Sequence, residues 1–409
     1  MSGRLKLAAL AGGFALLIVV TGCVSTDRPA ARPPLPAPAA PPTAMTASAG
    51  SAAHLAPISS QEYVGDSACA ACHADIWRQH HDSAHATTLR AVTLSSDGAL
   101  FQSPQIIRDN KEGDVYRLGI QNGDCVMMAL ERSGQETLQA RYAFGSGRYG
   151  RTYLGKEASG QWIELRMTYY TRLHRWDFTP FLQPDPDHPQ NPDGLALNAP
   201  QLAFCFSCHV TTLKMGPNEP DAPESHFGVG CERCHGPGRQ HLEAAHALLA
   251  GKNVPSLKMQ DLITAPREKI MAACGECHSG PSDIPVDARL AVILARFAAT
   301  ALQQSRCYLQ SPSLSCITCH DPHTLKQSKT ASYEAVCLNC HGTRRTPQEG
   351  NGLPGTASLA QNKPPLRCKV SPRSGCIRCH MPVQSTRSFA LVGFHNHWIR
   401  IYPKLQPGS

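Results

Sequence analysis

The chain has 409 residues and 18 cysteines, too long for a mini-domain in which disulfides replace a core, so the cysteines need another use. Hydrophobic residues reach 42% but Phe, Trp and Tyr together only 6%, while 32 glycines and 33 prolines punctuate the chain rather than build long elements. The formal charge is +8, with 39 Lys+Arg against 31 Asp+Glu, an excess too small to argue for a nucleic-acid partner.

Residues 1–22 read as an export signal: Arg4 and Lys6 form a basic start, and Leu7 to Val20 is an apolar run too short to span a bilayer comfortably. The run ends in Val-Thr-Gly-Cys, which resembles the lipobox of bacterial lipoproteins and makes Cys23 the candidate lipid anchor; a plain cleaved signal with Cys23 incidental is the alternative. Residues 23–60 hold this cysteine and a Pro/Ala-rich linker, RPAARPPLPAPAAPPTA, with almost no large apolar side chain. His54 lies in the linker and is set aside as a ligand.

From residue 61 to 409 one motif dominates. CxxCH occurs at Cys69-Cys72-His73, Cys205-Cys208-His209, Cys231-Cys234-His235, Cys274-Cys277-His278, Cys316-Cys319-His320, Cys337-Cys340-His341 and Cys376-Cys379-His380, using 14 of the 18 cysteines. The spacing has a physical cause. On one helical turn, positions i, i+3 and i+4 share a face, so two sulfurs bond the porphyrin vinyl groups while the histidine reaches the iron. Zinc pairs would not all need the following histidine. The reading is therefore seven covalently attached c-type haems, with the seven motif histidines as proximal iron ligands. Loss of Arg4 and Lys6 leaves +6, and about −1 per ferric bis-histidine haem brings the mature protein near neutrality. Seven flat apolar bodies would also supply packing surface that the scarce aromatics do not, making the fold dependent on haem.

The motifs divide the chain into a first-haem region (61–110), a β-rich insertion (111–200) and a six-haem cluster (201–409). Within the insertion DVYRLGI, CVMMAL, LQARYAF, RTYLG and WIELRMTYYT are short β-prone runs separated by GSGR and EASG, which predicts a small antiparallel sheet. The remainder is expected to be mainly short α-helices and loops around the porphyrins, with one longer helix around Pro285 to Gln304. The fold class expected is a haem-cored multihaem cytochrome c with this β insertion between the first haem and the C-terminal cluster.

YVGDSACAACH, GSGRYGRTYL with RWDFTP, GVGCERCHGPG, SRCYLQSPSLSCITCHDPH, CLNCH, SGCIRCHMP and HWIR resemble multihaem c-type cytochromes of the cytochrome c-554 type. These belong to a superfamily that includes hydroxylamine oxidoreductases and pentahaem nitrite reductases. The likeness runs from about Tyr63 to Arg400. It implies a second histidine as sixth ligand of most haems, and electron transfer among closely packed haems. On the matching blocks, His85, His241, His323 and His397 are the foremost distal candidates. His81, one turn from His85, and His226, His246 and His395 are secondary, each equally readable as a surface histidine. His174 and His188 are weaker, His80 points off the His81/His85 helical face, and Met215 is the one methionine considered. Several relatives continue into helical repeats, which are expected to be absent here.

Cys307 and Cys368 each precede a haem motif by a similar loop, in blocks that carry the resemblance; a Cys307–Cys368 disulfide and two free thiols are the alternatives. Cys125, in a β-prone run, reads as a small core residue. The expected function is a heptahaem electron carrier in the cell envelope, lipid-anchored, with the haem domain in the periplasm. Val24 after the anchor resembles the outer-membrane rather than the inner-membrane pattern of bacterial lipoproteins. Partners would be other cytochromes or a quinol-oxidising membrane complex, without nucleic acid. The alternative is an oxidoreductase acting on a small nitrogen or sulfur compound at one open iron. No set of catalytic residues and no CxxCK motif calls for it.

Overall fold

The computed structural model describes residues 62–102, 105–111, 113–131, 134–185, 191–216, 219–257, 259–280, 294–324, 330–342, 374–385 and 391–402. The signal and linker with Cys23, together with Cys368 and His188, lie outside the described residues.

Two short helices, α1 (Asp66–Ala70) and α2 (Ala74–His81), flank the first motif, with Cys69 in α1 and Cys72 and His73 in the turn between them. A nine-stranded antiparallel sheet follows: β1 (Leu89–Ala91), β2 (Gln105–Arg108), β3 (Val115–Gln121), β4 (Asp124–Glu131), β5 (Gly134–Phe144), β6 (Arg151–Lys156), β7 (Trp162–Tyr170), β8 (Arg175–Phe178) and β9 (Gly194–Leu197). The path runs from β2 to β8 in order, β1 joins β5, β9 joins β7, and the terminal strands β2 and β8 approach each other in a barrel-like curl. Alternation drives the pairing. In β3, Tyr116 and Leu118 turn inward while Arg117 between them turns out. The β3–β4 hairpin is set by Asn122-Gly123, both with positive φ (53° and 88°), as a two-residue turn of matching twist requires. At Gly194 (φ 133°) a Cβ would collide with the Glu164 carbonyl oxygen, so glycine lets β9 close on β7.

The sheet reaches beyond the span read from sequence, because β1 and β2 precede residue 111. It also encloses a core made wholly of side chains. Phe101, on helix α3 (Gly98–Phe101), meets Tyr153 and Trp176 edge-on at 5.4 and 4.8 Å, among Leu118, Met127, Leu138, Ile163 and Leu165. Several of the chain's few aromatics are thus concentrated here. Arg166, 0% exposed, is held by Asp109 (3.8 Å), Asp114 (3.6 Å) and the Leu182 carbonyl (3.2 Å). On the other face, helix α4 (Ala199–Ser207) packs Leu202 and Phe206 onto Tyr142, Leu154 and Trp162. A capping box, Asn198 with Gln201, starts that helix.

The C-terminal part consists of short helices: α5 (Cys231–His235), α6 (Arg239–Leu249), α7 (Arg267–His278), α8 (Ala298–Gln303), α9 (Arg306–Gln310), α10 (Thr330–His341) and α11 (Cys376–His380). Its apolar cluster is small, Met271, Ala299, Leu302 and Tyr308. The single long helix expected around 285–304 is corrected within the described residues. Phe297 leaves helical backbone (φ −113°, ψ 75°), so α8 starts only at Ala298.

Candidate haem centres

Each motif is wound as one helical turn. The His73 and His320 amides donate to the carbonyls of Cys69 (2.9 Å) and Cys316 (3.0 Å), closing the turn from the first cysteine to the histidine. The third, fourth, sixth and seventh motifs lie within α5 and the ends of α7, α10 and α11. The second motif ends α4, with the His209 amide on the Phe206 carbonyl at 2.8 Å. None of the described motif cysteines is in a disulfide, so each described motif presents two thiols and an imidazole to one side of a turn.

Four motif histidines face a second histidine at nearly constant spacing. Ring centroids lie 6.3 Å apart for His73–His241, 6.1 Å for His235–His323, 6.1 Å for His278–His85 and 6.0 Å for His320–His397. Two imidazoles bound to one metal, with metal–nitrogen bonds of about 2.0 Å and roughly 1.1 Å from nitrogen to ring centre, would stand about 6.2 Å apart. The residues therefore fit a bis-histidine iron, and the four partners are His85, His241, His323 and His397.

Tautomers agree with this fit. Nδ1 contacts a backbone carbonyl in His241 (Leu257, 2.7 Å), His397 (His395, 3.0 Å), His235 (Gln260, 3.0 Å) and His380 (Arg400, 3.0 Å), and in His323 the Asp321 carboxylate (3.1 Å). An N–H donated there leaves the Nε2 lone pair for metal. Burial pushes His209, His278 and His397 down to about 4, which keeps them neutral, as a ligand must be, near pH 7.

The remaining candidates scatter. His395 aims Nδ1 at the Met381 carbonyl (2.8 Å), which orients its ring like a ligand. Among the described residues His226 has a buried Nδ1 without a hydrogen-bond partner, and it lies against Gly65. His246 is exposed on α6, His174 is exposed in a left-handed turn (φ 50°), and Met215 is 46% exposed. His81 is exposed and stacked on Trp77 at 4.7 Å, whereas His80 is the buried residue, 6.4 Å from His323. The helical-face argument that preferred His81 fails because α2 stops at Asp82 (φ −92°, ψ 4°), so His85 is not on its continuing face. His209 packs edge-on against Phe144 at 5.1 Å, with Nδ1 on Thr88 Oγ1 (2.7 Å).

The motifs are also joined to one another. The thiols of Cys69 and Cys231, Cys208 and Cys277, and Cys274 and Cys316 lie close enough to shift one another's ionisation, so attachment points of the first and third, second and fourth, and fourth and fifth motifs are neighbours. Arg233, between the third motif's cysteines, binds Glu276 of the fourth at 2.9 Å and the Ser207 carbonyl beside the second at 3.3 Å. Glu232 was not singled out in the sequence, yet it is 1% exposed and accepts amides from Val64 (2.9 Å), Gly65 (2.8 Å) and Gly238 (2.7 Å). Asp66 returns the contact by accepting the Cys231 amide at 2.9 Å. These two carboxylates latch the first motif to the third. Cys125 is buried in the sheet core, as its β-prone run suggested, and Cys307 is raised by burial beside Cys340. The Cys307–Cys368 pairing falls outside the described residues.

The family model described as cytochrome c554 and c-prime matches residues 189–236, and that of the doubled CXXCH motif matches residues 312–346. No curated protein and no solved structure matches the chain. Both family matches fall on CxxCH motifs whose helical turns are seen here, and they support c-type haem binding and a multihaem c-type cytochrome.

Proposed function

We propose that the chain is a heptahaem cytochrome that carries single electrons between redox partner proteins. The four histidine pairs at 6.0–6.3 Å carry this reading, because an iron closed on both faces by imidazole exchanges electrons without admitting a substrate. Neighbouring cysteines of different motifs support close haem packing. The export signal and Cys23 lipobox support a lipid-anchored protein whose haem domain stands in the periplasm, with another cytochrome or a quinol-oxidising complex as partner. Among the described residues no helix is long and apolar enough to cross a membrane. The superfamily of the cytochrome c-554 type remains part of the same proposal, as do the secondary ligands His81, His226, His246 and His395.

One observation favours the second reading, an oxidoreductase of a small nitrogen or sulfur compound. Among the described residues, the ring packed on His209 is Phe144 and not another imidazole. The mature ferric protein distinguishes the two. Intact mass should show seven haems. A wholly low-spin spectrum, unchanged by nitrite or hydroxylamine, upholds the carrier; a high-spin fraction that shifts with either compound upholds the oxidoreductase. Material without Soret absorption overturns both.

A further inference from the structure

Asp321, Pro322 and His323 form a tight turn directly after the fifth motif. Asp321 Oδ1 accepts the His323 amide at 3.0 Å, the bond of an Asx turn, and Pro322 fixes the backbone of the residue between. The same oxygen meets His323 Nδ1 at 3.1 Å. Among the described residues, every other Nδ1 contact of a candidate ligand is to a neutral oxygen: a backbone carbonyl or, for His209 and His320, the hydroxyl of Thr88 (2.7 Å) or Tyr333 (3.4 Å). The two imidazoles of the third site are therefore unequal. His235 faces the Gln260 carbonyl, and His323 faces an anion. Negative charge also gathers on the motif itself. Glu232, 1% exposed, lies between its two cysteines, and Asp66 accepts the Cys231 amide at 2.9 Å. The neighbouring cation does not offset them, because Arg233 is already paired with Glu276 at 2.9 Å. His80, 6.4 Å from His323, is lowered by burial and adds no charge near pH 7.

We propose that Asp321 is a positioning residue which, acting through His323, makes the third site the low-potential member of the His–His paired sites. This rests on the haem reading of that motif and of the His235–His323 pair. A carboxylate on Nδ1–H strengthens donation from Nε2 and favours the more positively charged ferric state. Asp321 also follows His320, but the Nδ1 of His320 is turned to Tyr333, so the effect falls on the third site rather than the fifth. No bond changes and no proton moves in this tuning. One electron enters from a strongly reducing donor protein and leaves as one electron for a neighbouring site. Outlets are at hand, because Asp66 ties the third motif to the first and Arg233 ties it to the second and fourth.

The test uses the full haem-loaded chain, with redox titrations followed by optical and electron paramagnetic resonance spectra on wild type, Asp321→Asn and Asp321→Glu. The ring planes identify the site. They lie 7° apart in His235–His323 against 24°, 39° and 68° in the other three pairs, and near-parallel imidazoles give the most rhombic low-spin ferric signal. In the wild type that signal should be the last of the four to disappear on reduction, a readout that needs no variant to mature. Asparagine can accept the same two hydrogen bonds without the charge. Asp321→Asn should therefore shift the equilibrium of that signal toward the reduced form by about tenfold, which is about 59 mV for one electron, at unchanged haem content. Asp321→Glu, which restores the charge, should return it toward the wild-type position. The Asp321 side chain is 58% exposed, so the shift should shrink as salt is raised. A rhombic signal that is reduced before the other three in the wild type, no shift in Asp321→Asn, or a shift that falls on another signal instead overturns the proposal. In each case intact Soret absorption leaves the haem reading standing, whereas a wild type without it defeats both.

Discussion

Replacing Glu232 tests whether the first and third motifs are held as one unit. Its Oε1 accepts the Val64 and Gly238 amides and its Oε2 the Gly65 amide, all in a residue 1% exposed. Glu232→Ala leaves three enclosed N–H groups without an acceptor. At about 1–3 kcal/mol for each stranded group, with neighbouring contacts shared, the loss should be about 3–6 kcal/mol. Glu232→Gln keeps one carbonyl oxygen in the Oε1 position and strands only Gly65, so it should cost about 1–3 kcal/mol. Native-state hydrogen exchange on the haem-loaded protein reads this at the three amides. With about 1.4 kcal/mol per tenfold, protection should fall by roughly two to four decades in the alanine variant and by one to two in the glutamine variant. Gly238 leads into α6, which bears His241, so the low-spin signal of the His73–His241 site should broaden along with the exchange. Equal protection in wild type and Glu232→Ala, or a glutamine variant as damaged as the alanine one, would refute the latch.

Three further outcomes are expected. Asp97 is pushed up by burial, but hydrogen bonds from Arg90 and Ser96 and the charges of Arg90 and Arg151 outweigh this and hold it below the usual carboxylate value. Its contribution to stability is then complete above an unfolded pKa of about 3.9 and disappears as pH falls through the lower folded value, so Asp97→Asn should flatten that part of the acid-unfolding curve. Phe101→Ala opens a cavity against Tyr153 and Trp176 and should cost about 3–5 kcal/mol in denaturant unfolding, while unmatured chain without haem should still show β circular dichroism. His397→Ala should leave the covalent haem content unchanged by mass but convert one haem to high spin, with the spectrum restored by added imidazole.

The parts legible in the sequence were those set by local spacing. CxxCH needs only one helical turn, and the five β-prone runs from DVYRLGI to WIELRMTYYT each coincide with a strand because period-two alternation is a property of a single segment. What pairs with what is not local. His85 meets His278 and His73 meets His241 across long stretches of chain, and no periodicity records such a meeting; only the matching blocks pointed to His85 and His241. Where a local rule was extended past its element it misled. Counting one more turn beyond α2 favoured His81 over His80, although a nonhelical Asp82 ends the register there. Nothing in the local pattern of CERCH singles out Glu232 and Arg233, yet one is buried against three amides and the other bridges to the second and fourth motifs. The variable positions within a haem motif are therefore a place where neighbouring motifs can be joined, and charge at those positions carries tertiary information that the motif itself does not.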